Sequence, residues 1–127
     1  MCSVAGESEQ VGDYCEWETL NASCTSGHVI EMTHARYGRW RVGRCVARSY
    51  GHLQCGADVI DALHRACSGR QSCVFPVISL YARRSCPKDF TSYLHAAYRC
   101  RTGDYNYATR KCYYILTVVM ESCCVLL

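Results

Sequence analysis

The residues with the most distinctive chemistry in this chain are its cysteines. Twelve of the 127 residues are Cys, a density typical of small domains that are held together by disulfides. The competing chemistry is zinc binding, which usually draws on closely spaced pairs of ligands. The sequence contains no C-x-x-C, no HExxH and no H-x₃-H pair among its five histidines. We therefore predict a disulfide framework, with no metal site and no other cofactor.

A disulfide framework implies an oxidising compartment, so we predict a protein that is secreted or lies on the extracellular face of the cell surface. Asn21-Ala22-Ser23 is an N-glycosylation sequon, which makes Asn21 a candidate modification site and the chain a candidate glycoprotein. The first seven residues lack the basic start and apolar stretch of a signal peptide. We therefore expect a mature sequence or a piece of a longer chain.

Composition excludes several classes of protein. Charged residues make up 20% of the chain and the net charge is +3, which is too mild for a dedicated nucleic-acid binder. The apolar run Tyr113–Met120 is much shorter than the roughly 20 residues of a membrane-spanning helix. We therefore expect neither nucleic acid as a partner nor a membrane span.

No pattern of residues predicts catalysis. The sequence has no serine elbow, phosphate-binding loop or carboxylate-pair motif. His64 is expected on a helix surface and His95 on a strand, neither of them in a constellation that would make it a general base. We therefore expect a binding protein rather than an enzyme.

The elements that must position any site are strands on either side of one helix. Strand-like composition occurs at residues 28–33, 72–77 and 93–100. Residues 57–67 predict an amphipathic helix that ends near Gly69. Its apolar stripe is Val59, Ile60, Leu63, Ala66 and Cys67, and its polar face is Asp61, His64 and Arg65. This order indicates the α+β class.

The chain is expected to divide into three parts. Residues 1–14 are predicted to be a flexible lead-in, residues 15–100 the folded domain, and residues 101–127 a linker and an apolar C-terminal tail. Eight cysteines lie inside the domain, and Cys2, Cys112, Cys123 and Cys124 lie outside it. These four could form an internal bridge, links that make a disulfide-linked oligomer, or free thiols.

Four pieces of residues 15–100 resemble one family. They are Cys15-Glu16, Ala35-Arg36-Tyr37-Gly38-Arg39, the loop from Cys67 to Cys73, and Tyr93-Leu94 followed by Tyr98-Arg99-Cys100. In this order they are similar to the opening Cys-Glu, the ANYGR signature, the short C-x-G-[KR]-x-x-C loop and the closing Tyr-Leu…Tyr-x-Cys of the sea-urchin-egg-lectin-type domain, also called the galactose- or rhamnose-binding lectin domain. The resemblance implies a small antiparallel five-stranded β-sandwich with one main α-helix, stapled by disulfides.

The resemblance also implies how the eight cysteines of the domain pair. Spacing alone leaves 105 possible pairings. Carried over in order, the family's pattern implies Cys15–Cys45, Cys24–Cys100, Cys55–Cys86 and Cys67–Cys73.

A sugar pocket is the functional site that the resemblance implies. Its candidate residues here are Glu16, Arg36, Tyr37, Gly38, Arg39, Arg84, Lys88 and Asp89. Gly38 is expected to adopt a backbone conformation closed to other residues and so to aim Arg39 outward. Three positions depart from the family: its Asn is Arg36, its Asp falls on Arg84 or Ser85, and its Lys falls on Ser92.

These departures change the chemistry of the pocket. Asn donates and accepts hydrogen bonds, whereas Arg only donates, and Arg binds carboxylates and sulfates in bidentate fashion. The arginines concerned are Arg36, Arg39, Arg41, Arg44, Arg83 and Arg84. We predict an extracellular carbohydrate-binding module whose specificity is altered toward acidic glycans or glycoproteins. The alternatives are a solvated basic face for the arginines, and a protein-binding adhesion or receptor module on the same fold.

Overall fold

The computed structural model describes residues 8–51 and 53–102, together with the backbone of residues 104–106 and 111–113. The strands are β1 (Gln10–Cys15), β2 (Thr19–Ser23), β3 (His28–Arg39), β4 (Cys55–Asp58), β5 (Ser72–Pro76), β6 (Tyr93–Thr102), β7 (Asp104–Asn106) and β8 (Lys111–Tyr113). Helix α1 spans Ile60–Cys67, and a 3₁₀ helix spans Val77–Arg83.

The strands form antiparallel sheets. The main sheet has the order β1-β6-β3-β4, β2 pairs with β5, and β7 pairs with β8. At the start of β6, Tyr93 lies opposite Cys15 of β1 on one side and Gly38 of β3 on the other. The residues that follow β1, end β3 and precede β6 therefore meet at one end of the main sheet.

The core lies between the main sheet, the β2–β5 sheet and the helices, because one face of β3 and β6 is apolar. It includes Leu20, Ile30, Met32, Tyr37, Val59, Leu63, Phe75, Leu80 and Leu94. A second, smaller cluster of Cys15, Cys45, Val46 and Tyr93 packs under the end of the sheet where these strands meet. That end is therefore built on its own small core.

Four disulfides staple the domain. They are Cys15–Cys45, Cys24–Cys100, Cys55–Cys86 and Cys67–Cys73, the same four pairs that the resemblance implies. The bridge between residues 76 positions apart contributes about 4.5 kcal/mol in the chain-entropy model, and the bridge between residues 6 apart contributes about 2 kcal/mol. A domain this small depends on such links, since its core buries little apolar surface.

The structure corrects several details of the predicted elements. The described residues form more than the five expected strands, in sheets of four, two and two. The helix begins at Ile60, because residues 55–58 pair with β3 and the Asp58 carboxylate accepts the Ile60 N–H at 2.8 Å. His64 is buried and its Nδ1 lies 2.8 Å from Ser68 Oγ, so its placement on the polar face was wrong.

The predicted ends of the domain also change. Gln10–Cys15 pair with β6, so the expected flexible lead-in is wrong for residues 10–14. Strands β7 and β8 pair with each other inside the expected linker. Cys2, Cys123 and Cys124 lie outside the described residues, and only the backbone of Cys112 is described. How these four cysteines pair therefore stays a prediction. None of the helices in the described ranges is long and apolar enough to span a membrane.

Candidate functional site

A carboxylate held by two donors lies at the end of the main sheet. The Tyr37 hydroxyl donates to Glu16 Oε2 at 2.6 Å, and the Ser92 N–H donates to the same oxygen at 3.3 Å. Tyr37 and Ser92 are buried, whereas Glu16 is partly exposed. Both bonds fall on Oε2, and no bond from the described residues falls on Oε1. We call Glu16, Tyr37 and Ser92 the Glu16 corner.

The surroundings of Tyr37 keep its hydroxyl protonated, so that it acts as a hydrogen-bond donor. Burial and, after it, the hydrogen bond to Glu16 raise the pKa of the Tyr37 hydroxyl far above its usual value. The positive charge of Arg84 acts on that pKa in the opposite direction, but more weakly. The corner thus combines an oriented carboxylate with a neutral phenol.

Gly38 is needed for a different reason from the one predicted. It does not adopt a positive φ. A Cβ at this position would lie 2.2 Å from the Cys55 carbonyl oxygen and 2.5 Å from Gly56 Cα. The close approach of β4 to β3, rather than a special backbone conformation, therefore requires glycine here.

Arg39 does not point outward, so this prediction was wrong. Its side chain is only 2% exposed. The guanidinium donates to the carbonyl oxygens of Thr91 at 2.6 Å and Arg48 at 2.7 Å, and it lies 5.1 Å from the Phe90 ring centroid. Because the loops that cover the end of β3 present carbonyl oxygens there, Arg39 ties those loops together.

Arg36 is exposed, but it lies on the other side of β3 from Tyr37, since neighbouring residues of a strand face opposite ways. Its guanidinium lies 4.0 Å from the Trp40 ring centroid. It also helps to lower the pKa of His34, although burial is the main cause of that shift. Arg36 therefore belongs to a different surface from the Glu16 corner.

Arg84 acts electrostatically on Tyr37 of the Glu16 corner, although no hydrogen bond or ion pair among the described residues joins it to Glu16. It directly follows the 3₁₀ helix, donates to the Tyr81 carbonyl oxygen at 3.0 Å, and lies 4.0 Å from the Tyr81 ring centroid. Lys88 and Asp89 are exposed at the centre of a turn closed by the Phe90 N–H and the Pro87 carbonyl oxygen at 3.0 Å. No contact among the described residues joins that turn to Glu16.

The remaining arginines of the predicted basic cluster have carboxylate partners. Arg41 pairs with Asp13 at 2.7 Å, Arg44 with Glu18 at 2.5 Å, and Arg83 with Asp61 at 2.9 Å. The hydrogen bond from Arg44 is the main reason why the pKa of Glu18 falls to about 2. The cluster therefore does not act as one basic pocket.

A groove beside Glu16 was missed by the sequence interpretation. Its lining residues are Glu16, Trp17, Glu18, Thr19, Pro76 and Ile78. Part of the wall comes from the 3₁₀ helix, which no periodicity predicted. The available signal was a tryptophan directly after the candidate carboxylate.

A cluster of possible metal ligands occurs at Cys15, Glu18 and Cys45, and it is the only such group among the described residues. Its two sulfur atoms are bonded to each other, so neither is available as a thiolate ligand. The donor set does not fit a metal ion.

Fold and site together define a small disulfide-stapled domain of antiparallel sheets, with an oriented carboxylate at one sheet end. The sequence model of the D-galactoside/L-rhamnose binding SUEL lectin domain matches residues 22–100. This match covers more than half of the chain, so the chain belongs to that lectin family, which confirms the resemblance. No curated protein matches the chain. Cys15 and Glu16 precede the matched range but are tied to it by β1 pairing and by a disulfide.

Proposed function

We propose that this domain binds a terminal sugar ring at the Glu16 corner. The observation that carries the proposal is the orientation of Glu16. Two donors hold Oε2, and Oε1 is left to accept hydrogen bonds from sugar hydroxyls. Membership of a family described as binding D-galactosides and L-rhamnose supports carbohydrate as the ligand class. The proposal assigns binding rather than catalysis to the chain.

We further propose that Arg84 shifts the preference toward acidic glycans. Among the described contacts its guanidinium makes one hydrogen bond, to a carbonyl oxygen, and pairs with no carboxylate. Arginine has five N–H donors, so several remain for a sulfate or carboxylate on the sugar. A galactoside with a sulfate or a sialic acid next to its hydroxyls would satisfy both Glu16 and Arg84.

We place this binding outside the cell. Four disulfides within one small domain would be reduced in a cytosol. Asn21 is exposed on β2, where the strand pairs with β5, so the sequon is accessible to a glycan. Thiol titration of the folded protein tests this proposal by counting its free cysteines. If most cysteines of the domain were free thiols, the proposal would be contradicted.

A glycan array followed by titration calorimetry tests the binding proposal. We expect Glu16→Gln to weaken sugar binding at least about tenfold, because the amide keeps the Tyr37 hydrogen bond but turns an NH₂ donor toward the sugar. Glu9→Gln is the matched control, because it removes the same charge at the opposite end of β1 from Glu16. There the Glu9 carboxylate accepts a hydrogen bond from Thr33. Equal affinities for Glu16→Gln and the native protein would overturn the proposal.

A further inference from the structure

The groove beside Glu16 is built before any ligand arrives. Thr19 of β2 lies opposite Pro76 of β5, and the Val77 N–H donates to the Glu18 carbonyl oxygen at 3.0 Å. These backbone contacts hold the turn after β1 against the start of the 3₁₀ helix. The resulting groove has a volume of about 530 Å³, within the range of small-molecule sites.

Two large apolar side chains line this groove and face solvent. Trp17 is 68% exposed and Ile78 is 56% exposed, although they lie far apart in the sequence. Ile78 and Tyr81 share one side of the 3₁₀ helix, since that helix has three residues per turn. Scattered exposed apolar residues need no explanation. An aromatic and an aliphatic residue in one groove, beside a carboxylate with an open oxygen, indicate a ligand.

Two of the six residues that line the groove are charged, Glu16 and Glu18. Both oxygens of Glu18 are engaged, by Arg44 and by the Cys15 N–H. Glu16 Oε1 therefore remains the open acceptor, while Trp17, Pro76 and Ile78 supply apolar surface to the groove. A pyranose ring matches this arrangement, because its C–H face packs on an aromatic ring while its hydroxyls reach the polar rim.

The small size of the groove favours a sugar over a protein partner. A standard protein interface involves about 20 to 30 residues on each side. Six residues line the groove, and the charge of Glu18 among them is already paired with Arg44.

We propose that Trp17 and Ile78 form an extension subsite, which binds the second ring of a glycan whose terminal ring is held at the Glu16 corner. The subsite rests on the proposed function. It adds a specificity that the corner alone does not supply, namely for di- and oligosaccharides over single sugars.

Titration calorimetry with matched sugars tests the subsite. The probes are methyl β-D-galactoside and lactose, each also in its 3-O-sulfated form. We expect the native protein to bind the disaccharide about fivefold tighter than the monosaccharide, which corresponds to about 1 kcal/mol and is the size of a stacking contact on an aromatic ring. We expect Trp17→Ala to remove this ratio without weakening monosaccharide binding, and Trp17→Phe to retain most of it. Val11→Ala, at a residue that is 58% exposed on β1, serves as the control and keeps the full ratio.

Fluorescence gives an independent signal. The chain has two tryptophans, and Trp40 is covered by Arg36. We expect disaccharide to shift the emission of the native protein, and to shift it much less in Trp17→Phe.

The possible failures are distinguishable. Equal affinity for the monosaccharide and the disaccharide, with both bound, would overturn the subsite and leave the proposed function standing. A Trp17→Ala variant that weakens both sugars equally would also overturn it. Binding of none of the four sugars would overturn both proposals.

Discussion

Arg39 and Arg84 stand in the same candidate pocket by sequence, yet the fold uses them in opposite ways. Arg39 is buried, and its donors hold carbonyl oxygens of two loops. Arg84 lies partly exposed over Tyr81, and its charge acts against the rise in the pKa of Tyr37 that burial causes. The comparison shows that one arginine maintains the shape of the sheet end, while the other keeps its guanidinium partly exposed, which is why we propose Arg84 as a ligand contact.

The largest expected effect comes from removing the buried member of this comparison. We expect Arg39→Ala to lower the free energy of unfolding by about 3 kcal/mol, because the carbonyl oxygens of Thr91 and Arg48 lose a charged donor inside the protein. Urea unfolding with the disulfides intact measures this loss. Arg39→Lys should recover part of it, since one ammonium group cannot reach both carbonyls as the planar guanidinium does. A loss below about 1 kcal/mol would show that Arg39 is not structural.

The next effect concerns the ligand rather than the fold. We expect Arg84→Gln to weaken binding of 3-O-sulfated galactoside about tenfold and to leave the unsulfated sugar unaffected, because only the sulfate needs the guanidinium. Calorimetry in low and physiological salt measures both affinities. Arg36→Gln is the comparison variant, since Arg36 lies over Trp40. If Arg36→Gln removed the sulfate preference and Arg84→Gln did not, the assignment of Arg84 would be wrong.

The smallest effect belongs to the exposed pair of Arg44 and Glu18. The pKa of Glu18 is about 2 in the folded protein and about 4.3 in an unfolded chain. The stabilisation is therefore complete above pH 4.3 and is lost as the pH falls toward 2. We expect Arg44→Gln to remove most of this part of the acid dependence, with the Cys15 N–H retaining the rest, and to change Tm at pH 7 by no more than about 2 °C, because the pair is exposed. Thermal unfolding from pH 2 to 7 measures it, with Arg70→Gln as the control.

Much of the site's frame was predictable from short local motifs. The cysteines, the carboxylate after the first of them and the Tyr37–Arg39 segment resemble one lectin family, and the family match confirms that membership. The closing strand was predicted over residues 93–100 and spans Tyr93–Thr102. These features depend on residue type and local spacing, which a sequence displays directly.

Other features could not be predicted because they depend on partners far along the chain. Gly38 is required by the approach of Cys55, and the Trp17–Ile78 groove needs β2 and β5 to pair. The sequence of the 3₁₀ helix has no strong hydrophobic periodicity. The sequence therefore did not indicate that this segment forms part of the groove.

What this sequence determines by itself is a chain that needs disulfides and carries the local motifs of a lectin domain, since cysteine number and motif spacing are local properties. Only the tertiary structure decided what each charged residue does. Arg39 meets Thr91, Arg44 meets Glu18, and the Glu16 carboxylate meets Tyr37. Burial and charge pairing arise from contacts across sheets and loops, so the same residue type becomes a buried tie between loops in one place and a surface ion pair in another.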